Sequence, residues 1–247
     1  MMGTISTRIP KVIGHRGAAG HAPENTLASI RKAASLGVGW VEFDTKITKD
    51  TAVIVFHDDK LKRITGVKGE TANTSLKDML AFDAGSWFGD AFAGERVPTL
   101  SQAIETLADL GLGANIEIKP SPGLAVKTAH AVADVVTANW PDTLPPPLIS
   151  SFDLEVLETL RDAVTGLKKA LLVFEIPRNW QVLLENLDCD ALHAQAKHLT
   201  AKKVRAVNDA GYPLRAFTVN DPAEAEKLFD WGVDTVISDF PDRMMNL

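Results

Sequence analysis

The sequence contains very little cysteine: Cys189 stands alone among 247 residues. A single cysteine excludes an intrachain disulfide and any cluster of cysteine metal ligands. No apolar run approaches the roughly 18 residues that a membrane-spanning helix needs, and Met1 to Lys11 lacks the apolar stretch of a secretory signal. These absences predict a cytoplasmic protein that does not insert into a membrane.

Positive charge is also scarce, because 26 lysines and arginines face 32 aspartates and glutamates, which gives a net charge of −6. Without a basic stripe, the chain has little with which to displace the counterions of a nucleic acid. We therefore expect no nucleic-acid partner, although a local positive site for one small phosphate is compatible with this balance. Hydrophobic residues make up 45% of the chain, enough for a large core.

No GxGxxG motif follows the first apolar run, which argues against a dinucleotide-binding sheet. Instead, short runs rich in β-branched residues alternate with segments of helical period, as in repeated βα units. The predicted strands are Lys11 to His15, Gly39 to Lys46, Gly113 to Ile118, Pro147 to Ser151, Lys169 to Val173, Ala191 to His193, Leu214 to Thr218 and Thr235 to Ser238. The predicted helices are Glu24 to Leu36, Leu100 to Leu110, Leu124 to Asn139, Leu154 to Ala163, Trp180 to Leu187, Ala201 to Ala210 and Pro222 to Trp231. Eight strands with intervening helices in a chain of this length predict an α/β fold, a TIM (β/α)8 barrel that occupies residues 1–247 as a single domain.

One connection, Asp59 to Pro98, is far longer than the usual loop of about two to six residues between a strand and a helix. It follows a predicted extra strand, Val53 to Phe56, and contains a predicted short helix, Thr74 to Phe82. Aromatic residues, among them Trp87 and Phe88, occupy its second half. We predict a small cap on the functional end of the barrel, with Trp87 and Phe88 at the rim of the substrate site.

Acidic residues stand at the ends of two predicted strands. Because alternate side chains of a strand share a face, Glu42 and Asp44 point the same way, and Glu117 lies near the end of the next barrel strand. Buried carboxylates are costly unless they are paired or bind a metal, and oxygen ligands without cysteines favour a hard cation such as Mg²⁺ or Ca²⁺. Simple ion pairs with Arg16 and Lys119 remain an alternative.

Two histidines also follow predicted strands, His15 after the first and His57 after the extra strand. With an ordinary pKa of about 6.5, one imidazole can be neutral while the other is charged, which suits a general base and a general acid. Arg16 and Lys119 supply positive charge for a phosphate group. His193 ends another predicted strand, where contact with a substrate hydroxyl and a structural role are both open.

Five motifs together resemble the glycerophosphodiester phosphodiesterase family, in that family's order and approximate spacing: His15-Arg16-Gly17, Pro23-Glu24-Asn25-Thr26, Glu42-x-Asp44, His57-Asp58 and Glu117-x-Lys119. The resemblance covers nearly the whole chain and is greatest to the short, soluble bacterial branch. It implies a metal site at Glu42, Asp44 and Glu117, and a catalytic pair at His15 and His57. It also places Arg16 and Lys119 at phosphate-binding positions.

The function that this resemblance implies is metal-dependent hydrolysis of small glycerophosphodiesters, such as glycerophosphocholine and glycerophosphoethanolamine, to glycerol 3-phosphate and an alcohol. One divalent cation, Mg²⁺ or Ca²⁺, is expected as the cofactor. We expect the glycerol 2-hydroxyl to attack the phosphorus, with His15 as base and His57 as acid, and the exchange of these two roles stays open. The alternatives are a lysophospholipase D that acts on lipid-bearing diesters and a binding protein without turnover.

Asn25 is expected either to contact the phosphate or to orient a catalytic side chain. Two other features leave the substrate preference open. Phe217 stands at the rim, where many members of the family carry Trp or Tyr, so that any hydrogen bond from that ring is lost while its apolar face remains. The loop Phe174 to Arg178 matches no pattern of the family.

Overall fold

Eight short parallel strands close into a barrel in residues 9–164 and 166–247, which are the residues that the computed structural model describes. The strands, numbered with one additional strand β3, are β1 (Val12–Gly14), β2 (Trp40–Ile47), β3 (Val53–Val55), β4 (Gly113–Ile118), β5 (Leu148–Ser151), β6 (Lys168–Val173), β7 (Ala191–Gln195), β8 (Leu214–Phe217) and β9 (Thr235–Ser238). The ring closes because β1 pairs in parallel with β2 on one side and with β9 on the other. The predicted TIM (β/α)8 barrel is therefore confirmed.

The helices are α1 (Leu27–Ser35), α2 (Lys62–Thr65), α3 (Leu76–Met79), α4 (Leu100–Leu110), α5 (Ala125–Asn139), α6 (Leu154–Ala163), α7 (Trp180–Leu187), α8 (Ala201–Asp209) and α9 (Pro222–Trp231). All but α2 and α3, which lie between β3 and α4, alternate with the barrel strands and cover the outside of the barrel. Helix α4 shows the local signals clearly, since Thr99 and Gln102 form a reciprocal capping box and Gly111 ends the helix at a φ of 68°. Among the described residues, no helix combines the length and the apolar character that crossing a bilayer requires.

The main core lies between the barrel and its helices. Val41 and Phe43 of β2 and Ile116 of β4 pack there against buried residues of α4 and α5. Burial of each such side chain contributes about 1.5 to 3 kcal/mol to folding. The alternate residues of these strands, Glu42 and Asp44 among them, face the inside of the barrel. This alternation places polar side chains at the carboxyl ends of the strands, which form the mouth of the barrel.

The insertion between β3 and α4 packs around a small apolar cluster of its own, which includes Phe56, Leu61 and Met79. The predicted extra strand is present as β3, and it pairs antiparallel with the end of β2. The helix predicted over Thr74 to Phe82 is too long, because only Leu76–Met79 is helical. The chain turns after α3, and Asp83 accepts the backbone N–H groups of the following loop.

The first helix begins later than the sequence pattern predicted. Thr26 caps α1 by accepting the N–H of Ser29, so the helix starts at Leu27 rather than at Glu24. Asn25 has a φ of 58°, a left-handed conformation that cannot continue into a helix. Glu24 is consequently free of the helix, and its carboxylate faces the mouth of the barrel.

Candidate active site

Three carboxylates meet at the mouth of the barrel, where β2 and β4 run side by side. Glu42, Asp44 and Glu117 each present an oxygen within 4.8 Å of the others, and all three are buried. The register of the sheet explains this meeting, because Asp44 lies beside Glu117 on the neighbouring strand. The structure therefore brings together the three side chains that strand alternation predicted.

The electrostatics of this cluster favour a bound cation. Burial, and then the charges of Asp44 and Glu117, raise the pKa of Glu42 well above its ordinary value. Burial and Asp44 also raise the pKa of Glu117 to about 7. Among the described residues, Glu42 Oε1 has no hydrogen-bond partner although it is buried. Three mutually repelling carboxylates with a free oxygen fit a hard divalent cation, which prefers oxygen ligands.

Asn25 holds one of these carboxylates in place. Its Nδ2 donates to Asp44 Oδ2 at 2.8 Å, and the backbone N–H of Asp44 donates to Asn25 Oδ1 at 3.1 Å. Burial raises the pKa of Asp44, but Arg16, His57 and Lys119 outweigh burial and lower it overall. These two contacts fit the orienting role that the sequence left open for Asn25, and its contact with the phosphate stays a prediction.

The loop after β1 is shaped by two glycines and carries two candidate residues, His15 and Arg16. A Cβ on Gly14 would lie 2.0 Å from the carbonyl oxygen of Gly17, and Gly17 has a φ of 90°. Arg16 itself has a φ of 48°, and its backbone N–H donates to Glu42 Oε2 at 2.9 Å. Such a conformation costs energy in a residue with a side chain and persists only where the surroundings fix it. The loop is therefore locked onto the carboxylate cluster.

His15 is oriented by an aspartate that follows the last strand. Its Nδ1 lies 2.6 Å from Asp239 Oδ1, while its Nε2 lies 3.9 Å from Glu42 Oε2. Asn220 fixes Asp239 in turn, by donating to Asp239 Oδ2 at 2.7 Å. The sequence reasoning missed Asp239, although its place directly after β9 is the signal that would have found it.

Changing Asp239 to Ala is expected to lower kcat by about a hundredfold without unfolding the barrel, because His15 then loses the partner that fixes its ring and tautomer. Steady-state kinetics on a glycerophosphodiester, with circular dichroism to confirm folding, is the measurement. The matched control is Asp242→Ala, since Asp242 pairs with His21 at 2.7 Å and contacts neither catalytic candidate. Equal losses in the two variants would contradict the orienting role.

His57 has a similar partner from its own loop. Its Nδ1 lies 2.6 Å from Asp58 Oδ1, and Arg63 holds Asp58 through its Nε at 2.6 Å. Arg63 also contacts both oxygens of Glu24, at 2.7 and 2.8 Å. This arginine of the insertion therefore links the His57 loop to the segment before α1, a link that the sequence did not indicate.

The surroundings of His57 favour its neutral form. Burial lowers the pKa of its imidazole, and the positive charges of Arg16 and Lys119 lower it further. The carboxylates of Asp44 and Asp58 oppose this change without cancelling it. A neutral imidazole accepts a proton, so these surroundings suit His57 as a general base.

Two cations flank the carboxylate cluster. Arg16 Nη1 lies 2.5 Å from Glu24 Oε1, and Arg16 Nε lies 3.3 Å from Asp44 Oδ2. Lys119 Nζ donates to Glu117 Oε1 at 3.2 Å, and the attraction of Glu117 and Asp44 raises its pKa although burial opposes this. The side chains of Arg16 and Lys119 both remain partly exposed at the mouth. Their role in phosphate binding stays a prediction.

A cavity of about 740 Å³ opens beside these residues. His57, Glu117 and Lys119 line it on the side of the cluster, and it extends past Asp59 to Phe152. Sites for small molecules commonly have volumes of about 300 to 1,000 Å³. The cavity thus offers room for a small diester within reach of the catalytic candidates.

Two of the residues predicted at the rim, Trp87 and Phe88, pack against other parts of the insertion. Trp87 donates its indole N–H to the carbonyl of Ala84 at 2.8 Å, and the Phe88 ring stands edge-on to Trp87 and to Phe92. These aromatic residues pack on one another within the insertion, and Trp87 and Phe88 are not among the described residues that line the cavity. Contact of Trp87 and Phe88 with a substrate stays a prediction.

His193 does not end its strand as predicted, because β7 continues to Gln195 and His193 lies in the middle of the strand. Its side chain is 0% exposed inside the barrel, and its Nε2 lies 3.2 Å from Nη1 of Arg215. Phe217, by contrast, ends β8 at the mouth, where its ring stands edge-on to Phe152 with centroids 5.7 Å apart.

Known proteins resemble this chain over almost its whole length. The sequence profile described as the glycerophosphoryl diester phosphodiesterase family matches residues 15–243. A phosphodiesterase from Oleispira antarctica, solved in complex with the product sn-glycerol-3-phosphate, has a TM-score of 0.94 and 40% identity over 96% of each chain. A glycerophosphodiester phosphodiesterase from Caldanaerobacter subterraneus subsp. tengcongensis is 32% identical over 96% of each chain. One from Bacillus subtilis is 30% identical and covers 93% of this chain and 83% of its own length.

Proposed function

Because the chain belongs to the glycerophosphoryl diester phosphodiesterase family, we propose that it hydrolyses small glycerophosphodiesters to sn-glycerol 3-phosphate and an alcohol. Glycerophosphocholine and glycerophosphoethanolamine are the expected substrates. The observation that carries the proposal is the meeting of three buried carboxylates with His15 and His57 at one end of the barrel. Since both histidines and all three carboxylates are present, the site supports catalysis rather than binding alone.

We propose that Glu42, Asp44 and Glu117 hold one divalent cation, Mg²⁺ or Ca²⁺. The raised pKa values of Glu42 and Glu117 support this assignment, because a metal-free cluster of buried carboxylates is destabilised by its own charge. When bound, such a cation neutralises negative charge that develops on the phosphate oxygens during the reaction. Asn25 keeps Asp44 in the orientation that this site requires.

The two histidines divide the proton transfers between them. We assign His57 as the base that removes the proton of the glycerol 2-hydroxyl, because it lines the cavity and its lowered pKa favours the neutral form. His15 is then the acid that protonates the departing alcohol oxygen. Asp239 contacts Nδ1 of His15, and Asp58 contacts Nδ1 of His57. The Nε2 atom of each ring is therefore left for the substrate. From the sequence, His15 is expected as base and His57 as acid, with the exchange of these roles left open. The assignment proposed here is that exchange.

Recognition of the phosphate falls to Arg16 and Lys119, the two cations at the mouth. The 2-hydroxyl oxygen bonds to phosphorus as the alcohol leaves, which gives a cyclic phosphate. Water then opens the ring, with His15 taking a proton from that water and His57 returning one to the 2-oxygen. The sequence offers no serine or cysteine in a recognisable nucleophile motif, which is why the substrate supplies its own attacking group.

The insertion, residues 59–98, is proposed as a small cap on the single barrel domain. Arg63 supports this position, because it reaches from the insertion to Asp58 and Glu24 beside the two catalytic loops. Cap and barrel would then form one functional unit. The cytoplasmic location inferred from the sequence stays a prediction.

An analogue of glycerophosphocholine that lacks the 2-hydroxyl is expected to bind but to react at least about a hundredfold more slowly. An attacking group held within the substrate has an effective concentration far above that of any free nucleophile. Product release measured by mass spectrometry tests this, and the analogue that lacks only the terminal hydroxyl is the control. Rapid cleavage of the 2-deoxy analogue would show direct attack by water and overturn the cyclic mechanism, while leaving the reaction class intact.

A further inference from the structure

An exposed aromatic ring stands beside the mouth of the barrel. Phe174 directly follows β6, and 61% of its surface is exposed. Its ring stacks on that of Phe152, with centroids 4.6 Å apart and the planes inclined by 27°. Phe152 in turn meets Phe217 edge-on. We call Phe152, Phe174 and Phe217 the aromatic platform; its members follow or end β5, β6 and β8.

The loop after β6 holds Phe174 in this exposed position. Glu175 forms an ion pair with Lys203 of α8 at 2.8 Å, and Ile176 packs against the apolar core beneath α7 and α8. These two contacts, immediately after Phe174, therefore hold its loop against α8 and the apolar core. A single exposed apolar residue needs no explanation. Phe174, however, stacks on Phe152, which lines the cavity, so the pair offers an apolar surface for a ligand next to that cavity.

The platform adjoins the proposed phosphate site. Lys119 Nζ lies 5.6 Å from the centroid of the Phe152 ring, and Phe152 lines the same cavity as His57. A group esterified to a phosphate at Lys119 is therefore within reach of the platform. The wall beside His57 is different, because Asp58, Asp59 and Lys60 line it with polar groups.

We propose that the aromatic platform binds the trimethylammonium group of a choline-type leaving alcohol, an inference that rests on the proposed function. Phenylalanine faces offer no conventional hydrogen-bonding groups, so the hydroxyls of glycerol gain little there and suit the polar wall beside His57. A quaternary ammonium has a surface of methyl groups and a positive charge, which the faces of aromatic rings attract. Phe174 thereby becomes the residue that sets the preference among leaving alcohols.

The test compares glycerophosphocholine with its uncharged isostere, the 3,3-dimethylbutyl ester of glycerol phosphate. For the wild-type enzyme we expect the KM of the choline ester to be about fivefold lower, an effect of the size that a cation over aromatic rings produces. Phe174→Leu keeps an apolar side chain but removes the ring, so the two KM values should converge while kcat stays unchanged. Phe174→Trp should preserve the difference. Leu110→Ala, an exposed residue at the end of α4, is the control and should change neither value.

Equal KM values for the two esters in the wild-type enzyme would overturn the proposal, and so would an unchanged difference in Phe174→Leu. Binding of both esters, measured by calorimetry on the same variants, decides the question independently of turnover. If both esters bind as expected but neither is hydrolysed, the platform stands and the proposed function fails. If both esters are hydrolysed with equal KM values, the proposed function stands and the role of the platform fails.

Discussion

Chelation of divalent cations is expected to lower the hydrolysis of glycerophosphodiesters by roughly a thousandfold or more, since a bound cation supplies several kcal/mol of transition-state stabilisation. Added Mg²⁺ or Ca²⁺ should restore turnover. Changing Glu117 to Gln should weaken the affinity for the cation and lower turnover at limiting metal, because one of the three buried carboxylates proposed as ligands then loses its charge. Turnover titrated against metal concentration is the measurement.

The same variant has a second readout in its stability. Burial and Asp44 raise the pKa of Glu117 from 4.5 to about 7 in the folded protein. The folded state therefore holds this proton more tightly than the unfolded state, so the stability gained at low pH is lost as the pH rises from about 4.5 to 7. The Tm of the metal-free protein should fall across this window, and added cation should restore it above the window. In Glu117→Gln both effects should shrink.

Glu105→Gln is the matched control for this experiment, because Glu105 lies exposed on α4 outside the site. It should leave the metal titration and the pH dependence of Tm unchanged. Full activity in excess chelator would contradict the proposed metal site. A Tm that does not respond to divalent cations would count against the same three ligands.

Changing either His15 or His57, the two histidines proposed as catalysts, to Ala is expected to lower turnover by about 10²- to 10⁴-fold, the range for loss of a general acid or base. The two variants should differ with an acidic leaving group such as 4-nitrophenol. Such an alcohol needs little protonation, so it should rescue His15→Ala, whereas His57→Ala still lacks its base. Kinetics with glycerophosphocholine and with the nitrophenyl ester separate the two roles.

His130→Ala is the control for these variants, because His130 is exposed on α5 and should leave both rates unchanged. Rescue of His57→Ala instead of His15→Ala would restore the assignment first made from the sequence. Losses below tenfold in both variants would contradict proton transfer by this pair.

Much of the fold and the centre of the site follow from local patterns in the sequence. The period of two in β2 and β4 places Glu42, Asp44 and Glu117 on one face, and closure of the barrel brings the strands together. Capping signals define α4 well for the same reason, because Thr99, Gln102 and Gly111 lie close to it in sequence. Features that depend on a few neighbouring residues are therefore the predictable ones.

The errors arise where distant contacts decide the outcome. Asp239 contacts His15 across 224 positions of the chain. Its place directly after β9 indicates the mouth of the barrel, but no local pattern indicates which side chain it contacts there. His193 is buried because β7 extends past it toward the mouth, and Arg215 on the neighbouring strand supplies its partner. Asn25 contacts Asp44 from a left-handed backbone conformation, and the residues beside Asn25 in the sequence do not indicate this contact. In each case tertiary packing overrides what the flanking residues suggest.

The proposed reaction breaks the bond between phosphorus and the oxygen of the leaving alcohol, and the phosphate stays on glycerol. To test it, the metal-loaded enzyme is incubated with glycerophosphocholine, and sn-glycerol 3-phosphate, choline, glycerol and phosphocholine are quantified. Equal amounts of sn-glycerol 3-phosphate and choline are expected. Formation of glycerol and phosphocholine, or no product at all, would contradict the proposed reaction.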